Sequence, residues 1–248
     1  MRLNRAFSGL SLSVLVLGAL PTIASAGLID YRAVIIVEDT GGTSQGYLAT
    51  DPNYWTPLLT PDVSSALVLD FTLNGTSGSA INLTIENPTQ GFADLGLVVG
   101  RDSTSSDIAS GSFNYLYIDP TDATAPGATP QSVSNYFANS SGLDKQGESA
   151  VWNIDATALT INPAWINTDG SMPTTEVFIQ SNHVYAGGDS DAFHSRFPAP
   201  VTDATLHLDI LSAVPEQVNA PEPASLSLMF GVFGIGMLWR ARRSNSLL

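Results

Sequence analysis

A Gly-Thr-Ser-Gln-Gly run at residues 42–46 has the spacing of a nucleophile elbow, with an apolar stretch before it. The elbow also needs a helix directly after the serine, because that helix's first amides build the oxyanion hole. Tyr47–Pro57 (YLATDPNYWTP) cannot supply one, so the run reads as a Gly/Ser turn. Proton transfer at neutral pH would fall to the three histidines, His183, His194 and His207. None has the helical spacing of a metal-binding pair, and they read as surface or edge residues.

Hard-cation chemistry has two partial candidates. Asp189 and Asp191 flank Ser190 after Gly187-Gly188, and on an extended segment they share one side and offer oxygens suited to Ca²⁺. Asn167 and Asp169, ahead of Gly170, form a second fragment of the same kind. Neither completes an EF-hand loop, so calcium is the only cofactor considered and its expected role is to stiffen loops. Sugar stacking is open to Tyr54 and Trp55, a neighbouring pair in a Pro-rich loop that is expected to be exposed. Trp152 and Trp165 read as core. Glycoside hydrolysis would need two carboxyls about 5–10 Å apart across a cleft, which sequence alone does not place. With no catalytic set surviving, the expectation is a protein that is not an enzyme.

These residues must be positioned by strands. From Gly27 to Ala220 lie 22 of the 23 acids and four of the nine bases, a net charge of −18 that repels nucleic acid and anionic lipid. Cysteine is absent, which excludes thiol chemistry and thiolate zinc sites. Period-two alternation marks Ser65–Leu73 and Ala80–Glu86, joined across Asn74-Gly75 as a hairpin. Tyr31–Glu38 is apolar on both faces and belongs in the middle of a sheet. Further strands are expected at 95–99, 112–118, 150–154, 158–161, 176–180 and 204–211, with a helical turn or two near 132–138 and a loop at 119–130. The body, residues 27–212, is therefore expected to be all-β, a single antiparallel sandwich of jelly-roll type with roughly eight to ten strands. A signal helix and a C-terminal transmembrane helix flank it.

Arg2 and Arg5, the apolar run Ala6–Leu20 and the Ala24-Ser25-Ala26 site give residues 1–26 the form of a secretory signal peptide cut after Ala26. After a linker at 213–220 comes Pro221-Glu222-Pro223, held extended by its prolines, then an uncharged apolar run at 224–239, then Arg240, Arg242 and Arg243. As a helix that run is roughly 24 Å long against a hydrocarbon core of about 30 Å, a short span whose arginines stop transfer on the cytoplasmic side.

This C-terminal segment, residues 221–244, resembles the PEP-CTERM sorting signal, with Ala220 where valine is commonest. The resemblance implies a Gram-negative protein exported as an inner-membrane-tethered precursor. An exosortase would then process it near Glu222 and Pro223 and release it to the cell surface or extracellular matrix. Association with exopolysaccharide or biofilm is implied in the same way. The body itself is expected to be a structural or interaction module. A carbohydrate-binding module assisted by calcium is the alternative, and a glycoside hydrolase stands third.

Overall fold

A computed structural model describes residues 27–88 and 91–216. Fourteen strands lie among them: β1 (Leu28–Asp39), β2 (Ser44–Ala49), β3 (Leu58–Thr60), β4 (Leu69–Asn74), β5 (Ser77–Ile81), β6 (Leu83–Ile85), β7 (Asp94–Val99), β8 (Tyr115–Thr121), β9 (Gly147–Glu148), β10 (Trp152–Asp155), β11 (Thr160–Pro163), β12 (Glu176–Gln180), β13 (His183–Gly187) and β14 (Val201–Pro215). Two short helices, α1 (Tyr136–Ser141) and α2 (Ser190–Arg196), complete the body.

The protein is antiparallel β, as its alternation requires. Its ladder does not divide into two packed sheets of jelly-roll order. It runs β1-β4-β6-β7-β8-β13-β12-β14 and returns to β1, closing an eight-strand barrel. Closure leaves β1 with no free edge, because β14 pairs along one side and β4 and then β2 along the other. The β2–β3 hairpin bridges β1 to β13 at the rim, and β11, β10 and β5 extend from β14.

Alternation sorts the side chains into two apolar groups. Inward residues such as Ile35, Leu73, Leu97 and Ile118 join Trp152 and Trp165 in the main core. Both tryptophans are fully buried, as read from the sequence, and each satisfies its indole N–H: Trp152 donates to Leu95 O at 2.6 Å and Trp165 to Ser106 O at 2.9 Å. The opposite face of β7, β8, β12 and β13 carries a second, aromatic cluster of Tyr115, Tyr117, Phe137, Phe178, Tyr185 and Phe193, capped by α1 and α2.

Three expectations change. The Asn74-Gly75 hairpin pairs only at its base, Leu69 with Ile85 and Asp70 with Thr84. Its tip peels away as β5, which pairs with β10, and positive φ at Gly75 (89°) and Ala80 (52°) supplies the bends. Residues 119–121, read as loop, continue β8. Asp189 and Asp191, read as one calcium-type loop segment, cap and open α2.

Candidate functional site

Tyr54 and Trp55 sit in the loop between β2 and β3, which Asp51 turns by accepting from Asn53 N at 2.8 Å. The pair is half-buried rather than exposed. The Tyr54 ring lies 4.4 Å from His183, and His183 Nε2 meets Asp51 Oδ2 at 3.0 Å. Burial raises the Asp51 carboxyl, but hydrogen bonding to His183 and Asn53 outweighs it and the net shift is downward. Trp55 Nε1 donates to Ser140 Oγ of α1 at 2.8 Å, its ring meets Phe137 edge-on at 5.1 Å, and the Arg101 guanidinium stands 5.7 Å from its face. Tyr136 OH of α1 donates back to Pro52 O at 3.1 Å. The rings that sequence offered as a sugar platform are thus largely engaged in joining the loop to α1 and β13.

Beneath this loop a small cavity of about 20 Å³, room for one water, is lined by Thr50, Tyr54, Trp55, Ile118 and Asp119. Asp119 is fully buried. Its Oδ2 accepts from Phe137 N at 2.8 Å, while Oδ1 has no protein partner. Burial pushes this carboxyl well above the usual carboxylate range, against the backbone hydrogen bonds that favour its charged form. Sequence reasoning missed Asp119 because Pro120 disguised the end of the strand. The alternation Tyr115, Tyr117, Asp119 was the available signal.

Glu148 is another buried carboxyl. It is pushed up to about 8 by burial, Oε1 has no protein partner, and the side chain accepts from the Ile166 amide. Asp94 of β7 is also buried and raised. A raised pair of carboxyls suggests glycoside hydrolysis, but the strand registers separate Asp119 from Glu148. Asp119 pairs with Gly96 on the aromatic face, whereas Glu148 pairs with Leu97, which belongs to the main core. Neighbouring residues of one strand point to opposite faces, so the two carboxyls cannot converge on one bond.

The calcium candidates are occupied by turn chemistry. Asp189 does not lie on a straight extended segment with Asp191: it is the N-cap of α2, accepting from Ala192 N and Gly111 N at 2.7 Å each, while Asp191 lies in the first helical turn. Those backbone hydrogen bonds hold the Asp189 carboxyl below its ordinary value. Asn167 Oδ1 accepts from Ile108 N at 3.0 Å and Nδ2 donates to Ile108 O at 3.1 Å. Asp169 closes its own turn on Ser171, a contact that lowers its pKa. Two acids that the sequence did not single out, Glu176 and Asp203, converge on Ser190: Glu176 Oε2 accepts its N–H at 2.9 Å and Asp203 Oδ1 its hydroxyl at 2.6 Å. They come from β12 and β14, so no local spacing reveals them. Among the described residues no group of three or more acids and histidines is placed to hold a metal.

Ser44 of the elbow-like run lies on β2 with no helix after it, as the turn reading requires. His194 contacts Ala199 O at 2.9 Å and His207 lies 3.5 Å from Glu38. The processing motif Pro221, Glu222 and Pro223, the arginines 240, 242 and 243, and the signal-cleavage residues Ala24 and Ala26 lie outside the described residues. Among the described residues no helix is long and apolar enough to cross a membrane. No family model, no curated protein and no solved structure matches the chain.

Proposed function

We propose that the chain is an exported surface or matrix protein of a Gram-negative bacterium, with a non-enzymatic β-barrel body delivered by an exosortase-type signal. The observation that carries this reading is the order Pro221-Glu222-Pro223, uncharged apolar run, arginine cluster. The body supports it indirectly. A closed antiparallel barrel hides its strand edges and an acidic surface resists aggregation. Its role is then structural or adhesive, within exopolysaccharide or biofilm.

Expression with and without a cognate exosortase tests the reading. The tail's mass and the protein's location should both change with the enzyme, and Glu222→Ala or Pro223→Ala should block processing while export continues. Identical mass and location in the two hosts would refute it.

Carbohydrate binding is the second reading, favoured by the half-buried Trp55 lining the same small cavity as Asp119. Retention on a polysaccharide panel that falls with Trp55→Ala, and with EDTA if calcium assists, would support it. Absence of retention on every polysaccharide would remove it.

A further inference from the structure

The first and last strands put the two ends of the described body next to each other. Ile29 pairs with Pro215 and Arg32 with Ser212, and Glu216 N donates to Leu28 O at 2.8 Å. The segments that lead toward 6–20 and 224–239 therefore leave the body side by side. Residues 217–223 reach at most about 25 Å fully extended, and residues 21–26 about 20 Å. Of seven exposed large apolar side chains among the described residues, three, Leu28, Leu211 and Val214, lie on these two strand ends. Leu28 and Val214 share a face, because Val214 pairs with Asp30 and Leu28 lies two residues away.

We propose that this end of the barrel, Leu28–Arg32 with Leu211–Pro215, is the face the membrane-tethered precursor turns toward the bilayer, its three apolar side chains meeting the headgroup boundary. The inference rests on the C-terminal run being a membrane anchor. The charges of this end, Asp30, Asp70, Glu86 and Glu216 against the single base Arg32, are net acidic like those of the body, so the tether and the apolar side chains, not charge, bring it to the bilayer. An anionic leaflet therefore repels the body, and only the tethered end approaches. The far end of β1, at Asp39, stands about 36 Å off along the strand.

A chain without cysteine permits unique labels. Residues 27–248 carrying Ser212→Cys or Thr43→Cys, both exposed positions, are labelled with a donor dye. Each is reconstituted in phosphatidylethanolamine/phosphatidylglycerol vesicles containing a headgroup acceptor. Energy transfer should be several-fold stronger from position 212 than from position 43, and Leu211→Glu with Val214→Glu should weaken it without reducing flotation. Equal transfer from the two positions, or a reversed order, would overturn the orientation while leaving the anchor intact. Failure of both proteins to float with vesicles would overturn the anchor reading itself, and this inference with it.

Discussion

Trp55 Nε1 donates to Ser140 Oγ at 2.8 Å, tying the β2–β3 loop to α1 across 85 residues of sequence. The bond and the edge-on Phe137 contact make Trp55 a clamp on the aromatic cluster. Trp55→Ala is expected to cost about 2 kcal/mol, because the side chain is half-buried, and Ser140→Ala about 1 kcal/mol. Urea unfolding of both single variants and the double variant checks this. A double-variant cost equal to the sum of the singles would show that the clamp is not a unit.

Stability should fall as pH rises from about 4.5 to about 8. The Glu148 carboxyl has an ordinary value of 4.5 and is held at about 8 in the fold, so the native state keeps a proton that the unfolded chain releases. Its stabilising contribution is complete below 4.5 and is lost through 8, on the order of 3 kcal/mol. Asp119 and Asp94, also raised by burial, act in the same direction. Glu148→Gln should flatten the profile, measured as urea midpoint against pH. A profile as steep as that of the parent would exclude Glu148 as its source.

Gly96 should not tolerate a methyl group. A Cβ there would stand 2.3 Å from Thr121 Cγ2 and 2.5 Å from Glu148 O, where β8 and β9 crowd β7. Gly96→Ala is expected to cost about 3 kcal/mol by overpacking. Gly111→Ala meets open space and only its left-handed φ of 76° opposes it, for about 1 kcal/mol. Thermal unfolding of the two variants should rank them in that order.

Asp189→Ala should destabilise by about 1 kcal/mol through loss of the α2 cap. The loss should be the same in 2 mM EDTA as in about 1 mM Ca²⁺, since the carboxylate already accepts two backbone amides. A calcium-dependent rise in melting temperature that Asp189→Ala abolishes would restore the metal reading.

Much of the barrel was legible in the sequence wherever one face of a strand is buried and the other is wet. β12 was bounded to the residue, and Leu206 and Leu208 of β14 point inward as their alternation requires. β13 went unread because HVYAG is short, ends in glycine and is buried at four of its five residues, which erases the period. α2 went unread because Asp189 resembles a calcium loop as much as an N-cap, and only Ala192 N at 2.7 Å separates the two. The acids at Ser190 and the opposition of Asp119 to Glu148 are products of register between strands distant in sequence, which no local pattern encodes.

The pairing of Ile29 with Pro215 also sets a clock. The barrel's first strand finds its long-term neighbour only when its last strand exists, so closure is among the most non-local steps the chain can make. A polypeptide emerging N-terminus first therefore stays open until nearly all of it has been delivered. That delay leaves the apolar edge of β1 without its final partner meanwhile.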